Sequence, residues 1–254
     1  MKNISKILVI IVTLVTITIN GLANALPLNG QNTGEISDRF KVLFVPAGYV
    51  FSIWGVIYLG LIAYAIFQAL PAQRDNQRLH SAGWWFVLAG IANSAWIFLW
   101  HYNLFPLSLL AMLTLLVSLI AIYLKLGIGR VSVSAGERWA TFIPISIYLG
   151  WISVATIANV TDVLYDLGWT GGGIDAQIWV VLLLGVALVI GALMAARHAD
   201  AAYLLVFVWA FTGIGVKQEG YSLVVTSAYI AAGLAALLAV WALVKPKQLV
   251  PAKR

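Results

Sequence analysis

The chain has 254 residues, of which 62% are apolar and only 9% charged, too little polar surface to cover a soluble globule, so lipid is its solvent. It has no cysteine, which excludes disulfides, thiolate metal sites and cysteine nucleophiles together. Fifteen Lys and Arg against nine Asp and Glu give a net charge of +6, but the basic residues stand at the ends of apolar runs, which assigns them to a membrane surface and not to nucleic acid.

In hydrocarbon every backbone N–H and C=O must be paired within the protein, so apolar runs of about twenty residues read as helices that span the bilayer. Eight follow one another, near residues 5–25, 45–70, 82–100, 105–126, 138–159, 177–196, 201–216 and 221–244, the seventh being short. The longest connections, 26–44, 71–81, 127–137 and 160–176, leave no room for a soluble domain. The predicted fold class is all-α, a polytopic transmembrane helix bundle of about eight spans. Lys2 and Lys6 before the first run, with Ala23-Asn24-Ala25 after it, also fit a cleaved signal that would leave seven spans; the reading adopted keeps the first helix.

Alternate loops differ in charge. With the N-terminus inside, one side receives Lys2, Lys6, Arg74, Arg78, Lys125, Arg130, Arg138, Arg197, Lys245, Lys247, Lys253 and Arg254, and the other only Arg39, Lys41 and Lys217. Basic residues are retained in the cytoplasm, so both termini are expected there, in a cell-membrane protein with an even number of spans.

Ionisable residues at bilayer depth mark ion paths or proton relays, and the predicted span interiors hold essentially none. Lys125, Arg138, Arg197 and Lys217 fall at span ends, where long side chains reach water. His80, His101 and His198 lie in loops or at helix ends without metal-ligand spacing and read as solvated interfacial residues. Asp162, Asp166 and Asp175, around Gly171-Gly172-Gly173, could supply oxygen ligands to a hard cation, although a hydrophilic turn is the preferred reading. No catalytic constellation and no metal site is expected.

Aromatic residues recur at helical spacing. Phe51, Trp54 and Tyr58 share one face of the second span, Asn93, Trp96 and Trp100 one face of the third, and Tyr148, Trp151, Ala155 and Asn159 one face of the fifth. Such faces could converge on a flat apolar ligand, or they could fill ordinary helix seams; spacing alone leaves both open. Trp84, Trp85, Trp169, Trp179 and Trp241, near span ends, read as interfacial anchors.

These segments carry a family resemblance. Pro46-Ala47-Gly48-Tyr49-Val50-Phe51-Ser52-Ile53-Trp54, continuing to Tyr58, resembles the run that enters the second helix of the TspO/MBR family, tryptophan-rich sensory proteins related to the translocator protein. Ala92-Asn93-Ser94-Ala95-Trp96 is similar to that family's third-helix segment, and Tyr148-Leu149-Gly150-Trp151, with Ala155 and Asn159, to its fifth. Pro-Pro of the family is Pro46-Ala47 here, its entry Trp is Tyr49, and the Pro before its fifth-helix Tyr is Ile147.

The resemblance implies a five-helix core over residues 1–160, with residues 161–254 as a three-helix extension and short basic tail. It implies a pocket, open toward the first loop, for a planar hydrophobic ligand such as a tetrapyrrole (protoporphyrin or haem), with no required cofactor. Carried over by position, its residues are Tyr49 at the mouth, then Phe51, Trp54, Tyr58, Asn93, Trp96, Tyr148, Trp151 and Asn159. The sterol pattern after the fifth helix is missing, because Tyr165 has no nearby downstream Lys or Arg; Leu119, Tyr123 and Lys125 meet that loose pattern elsewhere. The expected role is a receptor or regulator partnered by the bilayer and a hydrophobic small molecule, with a homodimer allowed. Transport of a small molecule, porphyrin degradation or lipid modification, and a purely structural role are the rivals.

Overall fold

The computed structural model describes residues 2–246 and 249–251. Among them run α1 (Lys2–Ala25), α2 (Thr33–Asp38), α3 (Ile53–Ala69), α4 (Gln77–His101), α5 (Phe105–Leu126), α6 (Ala135–Glu137), α7 (Ile143–Asp166), α8 (Ala176–His198), α9 (Ala201–Lys217) and α10 (Ser222–Val244). A short parallel pair, β1 (Val131–Ser132) with β2 (Val250–Pro251), ties the C-terminal segment to the α5–α6 loop.

The helices begin and end where their side chains dictate. Asn76 caps α4 by accepting from the amides of Arg78 and Leu79, while Asp175 and Asp200 do the same for α8 and α9. α5 stops at Gly127, whose left-handed φ of 71° suits glycine. α7 is preceded by a wide π turn over Arg138–Phe142, next to Pro144, which has no N–H to give to the helix ladder. With α6 and that turn, Ala135–Asp166 makes an apolar run of 32 residues, more than the roughly 20 a bilayer needs.

Seven of the described helices are long and apolar enough to cross a membrane, and α9, with 17 residues, is shorter. At 1.5 Å per residue α9 covers about 25 Å, less than a hydrocarbon core of about 30 Å. It nevertheless runs from one end of the bundle to the other. At its start the carboxylate of Asp200 accepts from Tyr123 and Ser146, and at its finish the carbonyl of Gly213 accepts from the amide of Ala47. A helix is present at each of the eight positions of the sequence reading, and seven of the eight are long and apolar enough to cross a membrane.

The two ends of the bundle are tied differently. At the basic end Arg78 pairs with Glu137 at 2.6 Å, Lys6 donates to the carbonyl of Gln73, and Nδ1 of His198 donates to that of Ile128. At the opposite end Asn29 donates to the carbonyl of His101, Arg39 to Asn103, and Lys217 to Asp38. Lys247, Lys253 and Arg254, counted on the basic side, lie outside the described residues.

Helices α1, α4, α5, α7 and α3 pack in that order into a closed ring. Glycine permits two of its closest contacts: a Cβ on Gly90 would stand 2.5 Å from Val12, and one on Gly60 2.7 Å from Pro144. α9 lies against α7, where Gly150 faces Tyr203 and Val206, and α10 and α8 close over its far side. Tyr203, Phe207, Phe211 and Ile214 of α9 are fully buried, so the C-terminal helices share the core of the bundle. The small residues Ala187, Gly191 and Ala195 of α8 are buried, whereas Gly185 faces open space.

Candidate functional site

The aromatic faces of α3, α4 and α7 do meet. Phe51 and Trp54, at the start of the second span, stand edge-on to Trp151 of α7, with ring centroids 5.7 and 6.3 Å apart and interplanar angles of 84° and 83°. Trp96 and Trp100 stack on each other at 5.3 Å on the α4 side. Between them lies a cavity of about 60 Å3, completed by Met112 of α5 and by Val154, Ala155, Ala158, Asn159 and Asp162 of α7. Thr33 and Ser37 of α2, with Val45 and Pro46, roof it at the end opposite the basic one. The space exists because Ala155 and Ala158 present only methyl groups where α7 turns toward three indoles.

The polar groups of this chamber fall into two sets. Asn159 accepts from Trp96 Nε1 at 3.2 Å and donates to Ser108 at 3.3 Å, and Trp100 Nε1 donates to the carbonyl of Thr33 at 3.3 Å. These bonds hold walls and roof together. By contrast Nε1 of Trp151 and Oδ1 of Asp162 are buried without a hydrogen-bond partner.

Of the residues proposed from sequence, Phe51, Trp54, Trp96, Trp151 and Asn159 line the cavity. Tyr58 stacks on Trp54 at 5.6 Å and Tyr148 meets the same ring edge-on at 5.9 Å, so both support it from behind. Asn93 is turned away: Asn20 donates to its Oδ1 at 2.7 Å, and its Nδ2 donates to the hydroxyl of Tyr148 at 2.8 Å, joining α1, α4 and α7. Tyr49 does not line the cavity but packs edge-on against Trp209 of α9 at 5.2 Å, and Trp209 Nε1 donates to the carbonyl of Val50. Sequence reasoning placed Trp100 on the α4 face but left it out of the pocket, and it missed Met112 and the α2 roof.

Three expectations about polar residues need correction. His101 and His198 are buried instead of solvated, with Nδ1 donating to the carbonyls of Ile97 and Ile128. Asp162 is no loop residue: α7 continues to Asp166 and leaves Asp162 only 4% exposed beside the aromatic chamber, far from a cluster with Asp175, which caps α8. The bundle also encloses Asp200 and Glu137.

A larger groove of about 560 Å3 lies along the outer side of α3, α7 and α9, with Arg138, His198 and Asp200 at its basic end. None of the predicted site residues lines it, and its buried acid is satisfied by Tyr123, Ser146 and the amide of Tyr203. The smaller aromatic chamber is the better candidate, because its buried polar atoms are still short of partners.

A family model for TSPO-like protein matches residues 6–241. No curated protein and no solved structure matches. The matched stretch includes the whole aromatic lining, all of α9 and most of α10, and the chain belongs to the TSPO-like protein family.

Proposed function

We propose that this membrane protein is a receptor or regulator that binds a planar hydrophobic ligand, of the tetrapyrrole class, in the chamber between α3, α4, α5 and α7. The observation that carries the proposal is the convergence of Phe51, Trp54, Trp96, Trp100 and Trp151, from three separate spans, on one void. Flat π faces arranged edge-on leave slots that suit a ring better than a chain.

A chamber of about 60 Å3 holds a few waters, and sites for drug-sized ligands measure roughly 300–1,000 Å3, so a tetrapyrrole enters only as the roof lifts. The roof is fastened by contacts of Trp100 to Thr33, of Asn29, Gln31 and Thr33 to His101, of Arg39 to Asn103 and of Lys217 to Asp38, and by Ile36 and Phe40, buried beside Trp100, Phe105 and Val163. Each polar contact is worth about 1 kcal/mol. Taking about 300 Å2 of apolar ligand surface out of water returns roughly 7 kcal/mol toward the cost of opening.

A receptor is favoured over a conduit because the bundle below the chamber leaves only a void of about 10 Å3, too small for more than a single water. The buried Asn20–Asn93–Tyr148 link is followed toward the basic end by Leu61, Phe86, Leu119 and Ile122. In this reading both termini are cytoplasmic and the roof faces outward.

The test is titration of the detergent-solubilised protein with protoporphyrin, following tryptophan fluorescence and the porphyrin absorption band. Saturable quenching at micromolar ligand, weakened at least about tenfold by Trp151→Ala, is expected from loss of a stacking wall worth about 1.4 kcal/mol or more. Absence of saturable binding by folded protein overturns the proposal.

A further inference from the structure

The larger groove shares no lining residue with the aromatic chamber. On α9 it runs from Ala201 to Trp209, a rise of about 12 Å, less than half of a hydrocarbon core of about 30 Å. It therefore occupies the depth of a single leaflet, on the basic side. Phe142, Ile147, Leu205 and Val206 make its walls apolar, and the small side chains of Ser146, Ala201 and Ala202 leave room between them. A concave apolar face among membrane spans takes up acyl chain, since an empty one would forfeit its dispersion contacts on that side.

The polar groups gather at the basic end. Arg138 is exposed there, and no hydrogen bond or ion pair among the described residues uses its guanidinium. Phe142 and Ser146 follow it at four-residue spacing along one face, and the exposed Trp139 lies beside it, at the level where indoles meet headgroups. His198 is only 8% exposed, and its Nδ1 donates to the carbonyl of Ile128. Nε2 is left without a partner among the described residues and can accept a hydroxyl. Asp200 needs no further partner, because Tyr123 and Ser146 donate to one of its oxygens and the amide of Tyr203 to the other. Glu137 is paired with Arg78. Arg130, Arg197 and Lys245 outnumber Asp75, the remaining acid of that end, so the field at the mouth of the groove is positive.

We propose that the groove is the seat of one anionic phospholipid from the basic-side leaflet: its phosphate pairs with Arg138, its headgroup reaches His198, and an acyl chain runs along α7 and α9 to Trp209 and Ile53. A phosphate matches the paired N–H groups of a guanidinium. A second copy of the chain fits this face less well, because a two-fold axis along the membrane normal would bring its own Arg138 to the same mouth and set like charges together. The seat is independent of what the aromatic chamber binds.

Native mass spectrometry of the full chain in a non-ionic detergent, with added phosphatidylglycerol or phosphatidylcholine of identical chains, counts the bound lipids and ranks them. Wild-type protein is expected to hold one phosphatidylglycerol about tenfold more tightly than phosphatidylcholine, the preference that a charge-assisted guanidinium–phosphate contact supplies. Arg138→Gln should bring that ratio close to one. Arg130→Gln, which removes an exposed charge from the same end but outside the groove, should leave the wild-type ratio in place. Ala202→Phe, which fills the groove, should release both lipids. Equal retention of the two lipids by wild type, an unchanged ratio in Arg138→Gln, or lipid still held by Ala202→Phe overturns the proposal. An equal fall in Arg130→Gln also overturns it, by assigning the preference to diffuse surface charge, and so does a lipid-free dimer that Ala202→Phe dissociates. If Ala202→Phe does not fold, the two arginine variants decide alone, since both side chains are exposed.

Discussion

Asn93 and Asp162 show opposite fates of a polar side chain among membrane helices. Asn93 shares a helical face with Trp96, yet both ends of its amide are taken by Asn20 and Tyr148, so it ties three spans together. Interhelical hydrogen bonds in membranes are worth roughly 0.6–1.7 kcal/mol each. Asn93→Leu is therefore expected to lower stability by about 1–3 kcal/mol, read as an earlier unfolding transition in detergent, with protoporphyrin affinity changed less than twofold. A large loss of affinity at unchanged stability would return Asn93 to the ligand. Spacing identified which residues share a face but not which way the face points, because a span apolar on all sides carries little amphipathic signal. Asp162 was illegible for another reason: Asp166, Asp175 and a run of glycines nearby make the region read as a polar turn, while two further turns of helix carry Asp162 inside.

At the scale of elements, the spans were legible because backbone pairing in lipid leaves few alternatives to helix, and their ends were less so. α4 begins at Gln77, five residues before the apolar run, because Arg78 is paired with Glu137 of α6 and can enter the helix without remaining in water. α9 is the element whose role the sequence hid. It presses on the turn that enters the second span, where a Cβ on Gly213 would lie 2.2 Å from Val50. Gly213→Val should overpack this contact and cost about 1–3 kcal/mol, and Val50→Ala in the same chain should recover part of the loss. Additive effects in a double-mutant cycle would show that the two residues do not touch. Sequence reasoning had no means of pairing Val50 with Gly213, since neither position carries a polar or charged mark.

For the whole molecule, the partition of basic residues was the most informative sequence feature, because it depends on the parity of the spans and not on where each one ends. The orientation it implies can be checked directly, since the chain has no cysteine of its own. Ala135→Cys and Thr170→Cys place single exposed thiols at opposite ends. A membrane-impermeant maleimide applied to intact cells is expected to label Thr170→Cys and to reach Ala135→Cys only after lysis; the reverse pattern would invert the proposed topology. How the chamber is built was not readable at this scale, because its roof joins residues from the first loop, α4 and α9 that are far apart in the chain.

The anchoring of the first loop to α9 also bears on how the chain can be dissected. Cutting after Asp166 would strip away Lys217, which holds Asp38, and both Trp209 and Gly213, which grip the approach to the second span. A minimal fragment made that way would keep every indole of the chamber and lose the buttress behind it, so weak binding by such a fragment would report a missing strut and leave the indole surface itself unjudged.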